Sequence, residues 1–198
     1  MATIHFVSEN RGKARVFADC VAAAGFTAEH VELSLVEPQA DTVEAVALAK
    51  AQQAFARLRA PLVVEDSGFC VDALFGFPGP YTKYVLETIG VAGLLRLAAP
   101  LPSRSCRFVA ALVHVDGDGA MHTFLDDRGT GVLALEADDT LCPEAWSALW
   151  SVFIPAETTR PMVALSSAER DALWTRWHSH SVYAQLARWL GSSERRAP

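Results

Sequence analysis

Leu62-Val63-Val64-Glu65-Asp66-Ser67-Gly68 is the stretch on which the reading of this chain turns. Three consecutive apolar residues read as a fully buried strand. Two adjacent carboxylates follow, and Ser67-Gly68 reads as the turn that ends the strand. Burying a carboxylate is costly unless it is paired or holds a metal. A strand that delivers two of them to its mouth therefore points to a cation site or a proton-transfer site. Neighbours on a strand face opposite sides. One carboxylate can then hold a hard cation such as Mg²⁺ while the other faces a water. The plain alternative is an exposed Glu-Asp turn, and the rest of the chain tips the balance away from it.

Upstream, Thr3 to Ser8 reads as a short buried strand, followed by the polar turn Glu9-Asn10-Arg11-Gly12-Lys13. A helix is predicted from about Gly12 to Ala24, with Val16, Phe17, Cys20, Val21 and Ala24 on the 3.6 period and Gly25 at its end. Val31 to Leu35 is predicted as a second strand and Glu37 to Ala40 as a loop. Asp41 or Thr42 then caps a long helix that runs to about Arg59 and is stopped by Pro61. Downstream, a Gly/Pro-rich turn at 76–80 leads into one helix from about Tyr81 to Ala98. Arg107 to Val115 reads as a strand. Asp116-Gly117-Asp118-Gly119 is a hairpin signal, and Met121 to Leu135 is the return strand, bent around Gly129 and Gly131. Residues 136–160 are irregular, and Ser167 to Leu190 is helical by pattern. Strands mixed with helices give an α/β fold. We expect a mixed twisted sheet flanked by helices, with a hairpin-rich second lobe and a cleft between the lobes.

At 198 residues the chain fits one domain with a sizeable core. We assign 1–190 to that domain, in two lobes, and 191–198 to a disordered tail. The net charge of −6 argues against general binding to nucleic-acid backbones, which needs a basic surface. It leaves room for a single nucleotide whose phosphates are neutralised locally. Cys20, Cys70, Cys106 and Cys142 form no CxxC pair, so zinc ligation by cysteine is not expected. With no signal-peptide pattern and no apolar run of membrane-spanning length, the expectation is a cytoplasmic protein with reduced thiols and no membrane contact.

Four further features carry chemistry. Ser8 to Lys13 lies between strand and helix, where free backbone N–H groups and the helix dipole favour an anion. Ser8 and Asn10 add side-chain donors and Lys13 a full charge, so the turn reads as a phosphate cradle or as an ordinary polar turn. It is not a P-loop. Lys50 falls on the apolar stripe Val43, Ala47, Lys50, Ala54. An inward lysine needs an anion, whether Glu37, Glu65, Asp66 or a ligand phosphate, unless its ammonium snorkels to solvent. Glu37 is a loop acid with no local distinction. His178 and His180, two apart on a helix, point about 200° from each other and cannot share a metal unless the helix has ended.

Taken together these segments resemble the inosine triphosphate pyrophosphatase family. Ser8-Glu9-Asn10-Arg11-Gly12-Lys13 is similar to its Thr-Gly-Asn-x-x-Lys turn. Glu65-Asp66-Ser67-Gly68, then Asp72-Ala73-Leu74 and Pro78-Gly79-Pro80-Tyr81, is similar to its central signature. The resemblance covers roughly residues 3–98. It implies Mg²⁺-dependent hydrolysis of a nucleoside triphosphate to monophosphate and pyrophosphate, by a homodimer. By position it implies substrate binding by Ser8, Asn10, Lys13, Lys50, Ser67 and His180, and metal ligation by Glu65 and, after a one-residue shift, Glu37. It makes Asp66 the carboxylate that activates the attacking water.

The second half departs from the family pattern. Ser147-Ala148-Leu149-Trp150-Ser151 stands where a Phe-Gly-(Tyr/Trp)-Asp-Pro motif is expected before Phe153-Ile154-Pro155. Glu169-Arg170-Asp171 replaces Glu-Lys-Asn, and Ser179-His180-Ser181 replaces Ser-His-Arg. Losing an arginine that reads a base edge should change specificity strongly. The expectation is a pyrophosphohydrolase with altered base preference. The alternatives are a hydrolase of another or modified nucleotide in a specialised pathway, and a catalytically weak nucleotide-binding protein. A pure binder has no need of Asp66.

Overall fold

The structure is a computed structural model and describes residues 3–127 and 129–194. The chain is α/β, and its described residues form eight strands in a mixed sheet and six α-helices. It divides into two compact units. One holds the residues up to Asp66, then Ala110–Asp126 and the chain from His178; the other holds Ser67–Val109 and Asp127–Trp177.

The first unit begins with β1 (Thr3–Val7), α1 (Arg11–Ala22), β2 (Thr27–Val31), α2 (Val43–Leu58) and the start of β3 (Leu62–Val71). β1 pairs in parallel with both β2 and β3. Two crossovers leave β1 and β2 in opposite directions, and right-handed connections then place α1 and α2 on opposite faces. Strand alternation sorts the side chains to match. Ile4, Phe6 and Val63 share a core with Ala14, Phe17 and Val21 of α1. Later segments complete this core. They are the second part of β5 (Ser105–Val115), which pairs antiparallel with β6 (Met121–Asp126) across the expected hairpin, and α6 (Val182–Glu194). Phe17 is fully buried and stacks on Phe6 with centroids 4.6 Å apart. Its burial is worth roughly 1.5–3 kcal/mol.

The second unit contains the rest of β3 with β4 (Pro78–Gly79), α3 (Thr82–Thr88), α4 (Gly90–Ala98), the start of β5 with β7 (Thr130–Leu133), β8 (Phe153–Pro155) and α5 (Ser167–His178, up to Trp177). Its core joins aliphatic residues such as Leu94, Leu133, Leu149 and Met162 to a set of aromatic rings. Phe69, Phe108 and Phe153 meet edge to face, and Trp146, Trp150, Trp174 and Trp177 form a contiguous chain of rings beside them.

Several expected boundaries move. β3 does not stop at the carboxylates. It continues through Ser67 and Gly68 because Phe69, Cys70 and Val71 are buried and pair with β4. β2 lies four residues earlier than expected, at Thr27–Val31. It pairs only with β1 among the described strands, and its mostly exposed residues carry no strong apolar signal. The helix expected over 81–98 is two helices, since Gly90 sits at φ +65°, a conformation that breaks the helix at little cost for glycine. The helix expected over 167–190 is also two. The expected return strand is two strands, β6 and β7. Of the expected tail, 191–194 are the last turn of α6, and 195–198 lie outside the described residues.

Candidate active site

Glu65 and Asp66 are adjacent on β3 and so face opposite sides of the sheet. Each meets a lysine from the helix on its own side. Lys13 of α1 places Nζ 2.6 Å from Glu65 Oε2, and Lys50 of α2 places Nζ 3.2 Å from Asp66 Oδ1. Lys50 also reaches Glu37 Oε1, at 2.7 Å. The pairing that the apolar stripe on α2 requires is thus made within the protein, by Glu37 and Asp66 together. Snorkelling is ruled out, since the Lys50 side chain is only 15% exposed.

Lys13 is brought there by its turn. Asn10 caps α1: its Oδ1 accepts from the Lys13 backbone N–H at 3.1 Å, and its own N–H donates to Ser8 Oγ at 3.0 Å. Gly12 leaves room beside the cap, since a Cβ there would lie 3.1 Å from Asn10 Oδ1 and press on it. His30 Nε2 holds the Ser8 carbonyl at 2.7 Å. Ser8 and Asn10 therefore spend part of their hydrogen-bonding capacity on building the turn. The Asn10 side-chain NH₂ has no protein partner among the described residues.

The charges are strongly desolvated. The Glu65 side chain is 4% exposed and that of Asp66 13%. Glu65 Oε2 is buried and receives no hydrogen bond of regular geometry; the Lys13 contact is close enough for an ion pair but is not aligned as a hydrogen bond. Burial pushes the Asp66 carboxyl up to about 6, against the opposing charges of Lys50 and Lys13. For Lys50, burial alone would lower its basicity. The hydrogen bond to Glu37 and the charge of Asp66 outweigh this and hold it above its ordinary value. A carboxylate near 6 can take a proton at neutral pH more readily than an ordinary aspartate.

The other predicted site residues fall elsewhere. Ser67 follows Asp66 on β3 and is exposed. His180 lies in the break between α5 and α6 and is exposed, and its carbonyl accepts from Gln185. The break arises at Ser181, which is fully buried and whose Oγ accepts from the Ala184 N–H at 3.1 Å. Ser181 thus caps α6. The helix therefore ends between His178 and His180. Among the described residues, no group of three His, Cys, Asp or Glu converges as a metal site.

Sequence reasoning missed Gln53. Its side-chain amide holds both backbone groups of Val36, next to Glu37. Its place three residues after Lys50, on the same helical face, was the available signal.

The Ham1 family model matches residues 4–182. The chain belongs to the Ham1 family. It is 31% identical over 193 residues, 94% of both chains, to a protein of Hyperthermus butylicus named dITP/XTP pyrophosphatase. It is 31% identical over 129 residues, 65% of this chain and 70% of the other, to the inosine triphosphate pyrophosphatase of Tuber melanosporum. The Ham1 protein of Staphylococcus aureus has the same fold, with a TM-score of 0.78 over 96% of this chain and 99% of that one at 20% identity. The resemblance stated from residues 8–13 and 65–81 therefore holds. The family model also spans the second half of the chain, where the motifs depart most.

Proposed function

We propose that this Ham1 protein is a nucleoside-triphosphate pyrophosphohydrolase that depends on Mg²⁺ and has an altered base preference. The observation that carries the reading is the interleaving of Lys13 with Glu65 and of Lys50 with Asp66 and Glu37. A triphosphate carries about four charges, and its hydrolysis rests on positioning and charge neutralisation. The N-terminus of α1, Lys13, Ser8 and the Asn10 amide donors bind the triphosphate. Ser67 and His180 are assigned to the substrate by the resemblance.

The residues present fit a hard cation. Glu65 keeps a buried oxygen with no regular hydrogen bond, and carboxylates are the donors Mg²⁺ prefers. Mg²⁺ retains waters and phosphate oxygens and needs only one or two protein carboxylates. Glu65 and Glu37 are the residues that would hold it, and it would supply charge neutralisation to the phosphates. Asp66 accepts the proton of a water whose oxygen bonds to the α-phosphorus. The bond from that phosphorus to the bridging oxygen breaks, and pyrophosphate leaves. Lys50 keeps Asp66 ionised close to neutral pH.

Two features support the altered base preference. Ser181, at the place of the family arginine, is buried and engaged as a cap. Ser147, in the rebuilt segment, accepts from the Leu149 N–H at 3.2 Å, while Trp146 is 64% exposed. A homodimer and a cytoplasmic location follow from the resemblance and the cysteine pattern; no described helix is long and apolar enough to cross a membrane. The test is a panel of nucleoside mono-, di- and triphosphates with Mg²⁺, read separately for pyrophosphate, orthophosphate and free base. Pyrophosphate release from triphosphates is the expected result. Release of orthophosphate or of free base alone would reject the reading.

A further inference from the structure

Three side chains on one face of α2 tie down the segment that precedes it. Lys50, Gln53 and Arg57 are spaced three and four apart, which places them in a row along the helix. Arg57 Nη1 donates to the Ser34 carbonyl at 2.7 Å. Gln53 Oε1 accepts from the Val36 N–H at 3.0 Å, and Gln53 Nε2 donates to the Val36 carbonyl at 2.8 Å. Lys50 reaches Glu37 at 2.7 Å. The contacts run antiparallel, 57 to 50 on the helix against 34 to 37 on the segment. The lengths agree. Seven helical residues rise about 10 Å, and three extended residues span about 10 Å.

We propose that Gln53 is a positioning residue that fixes the backbone at Val36, so that the neighbouring Glu37 carboxylate is presented at the Lys50–Asp66 pair. This rests on the reading of Glu37 as a ligand of the catalytic cation. Glu37 needs such a device. It belongs to a stretch with no regular secondary structure, and its side chain is 61% exposed. Val36 itself is 70% exposed, so side-chain packing does not anchor this position. The Gln53 amide replaces that packing with the paired donor and acceptor of a β-ladder partner. One hydrogen bond alone would leave the segment free to pivot; two from one planar group set its direction.

The experiment compares Gln53→Met, which keeps length and removes both hydrogen bonds, with Gln52→Met at the exposed neighbouring position as control. Amide exchange at Val36, the Mg²⁺ concentration for half-maximal hydrolysis, kcat at saturating Mg²⁺ and Tm are measured for each. Gln53→Met should lose Val36 protection and raise the Mg²⁺ midpoint about tenfold, with kcat at saturating Mg²⁺ within about twofold and Tm within about 3 °C. In a Glu37→Gln background the same change should add nothing to the midpoint. A lost Val36 protection with an unmoved Mg²⁺ midpoint would overturn the proposal and leave Gln53 a purely structural clamp. If the wild type hydrolyses no triphosphate, the functional reading fails by itself, and the positioning is then judged by Lys50. The chain has three lysines, at 13, 50 and 83, so ε-carbon NMR resolves its titration. A fall in the Lys50 pKa in Gln53→Met, matching that in Glu37→Gln, supports the clamp; an unchanged value overturns it.

Discussion

The two units solve different problems with different chemistry. In the first, beside an apolar core that includes Ile4, Phe6, Phe17, Val21 and Leu186, Glu65, Asp66 and Lys50 are largely desolvated and Lys13 partly so. In the second, an aliphatic core that includes Leu94, Leu133, Leu149 and Met162 is joined by a run of phenylalanine and tryptophan rings, and ion pairs such as Arg107–Asp72 and Arg160–Glu169 are half-exposed. Buried charges tolerate little substitution, because removing one leaves its partner unpaired at a cost of several kcal/mol. Ring packing tolerates exchange of one large apolar side chain for another. The charged seam of the first unit thus tolerates less substitution than the ring packing of the second.

The comparison breaks first at Asp66. Asp66→Asn should lower kcat by about 10²–10⁴, while affinity for a triphosphate, measured by calorimetry, stays within about tenfold. Near wild-type turnover would remove Asp66 from the chemistry. Glu65→Gln comes next. It gives Mg²⁺ an amide in place of a charged oxygen and leaves Lys13 without its anion. The Mg²⁺ midpoint should rise by more than about tenfold, and an unchanged titration would place the cation elsewhere. Lys50→Met should weaken triphosphate binding by roughly tenfold and also lower Tm, because it leaves the buried Asp66 carboxylate without its cation. A loss of Tm with affinity intact would make Lys50 a structural ion-pair partner only.

The smallest effects sharpen the other side of the comparison. The ratio of kcat/KM for inosine over adenosine triphosphate should lie well under about 100-fold, a difference of about 2.7 kcal/mol. A larger ratio would mean that other residues have taken over the lost contacts. Restoring the family residue by Ser181→Arg should not raise that ratio. It should instead lower Tm by several degrees, since it removes the α6 cap, worth about 1 kcal/mol, and forces a long cation into a fully buried position.

The charged seam was legible because its pieces obey local rules. Lys50 stood out on an apolar stripe, Thr42 was one of the two expected caps of α2, and Glu65-Asp66 followed a buried strand. What failed depended on partners distant in sequence. β3 passes straight through Ser67-Gly68 because β4 pairs beyond them, which no turn propensity reveals. β2 is fixed by pairing with β1 rather than by its own polar residues. Ser181 looked like a lost arginine in a continuous helix, yet it is the cap that starts a new one. Gln53 shares the helical face of Lys50, but its role shows only once the backbone of Val36 is seen beside it.

The most direct test of the account is the pH dependence of kcat/KM in wild type and Lys50→Met. That quantity reports the free enzyme's essential base. Burial raises Asp66 to about 6, and the Lys50 charge acts to lower it. The proton-loaded form cannot take a proton from water. The wild-type rate should therefore fall about tenfold per pH unit below an inflection near 6, and that inflection should move to higher pH in Lys50→Met. A wild-type profile flat from pH 5 to 8, or an inflection unmoved by the loss of Lys50, would contradict the claim that the buried lysine–carboxylate pair sets the base.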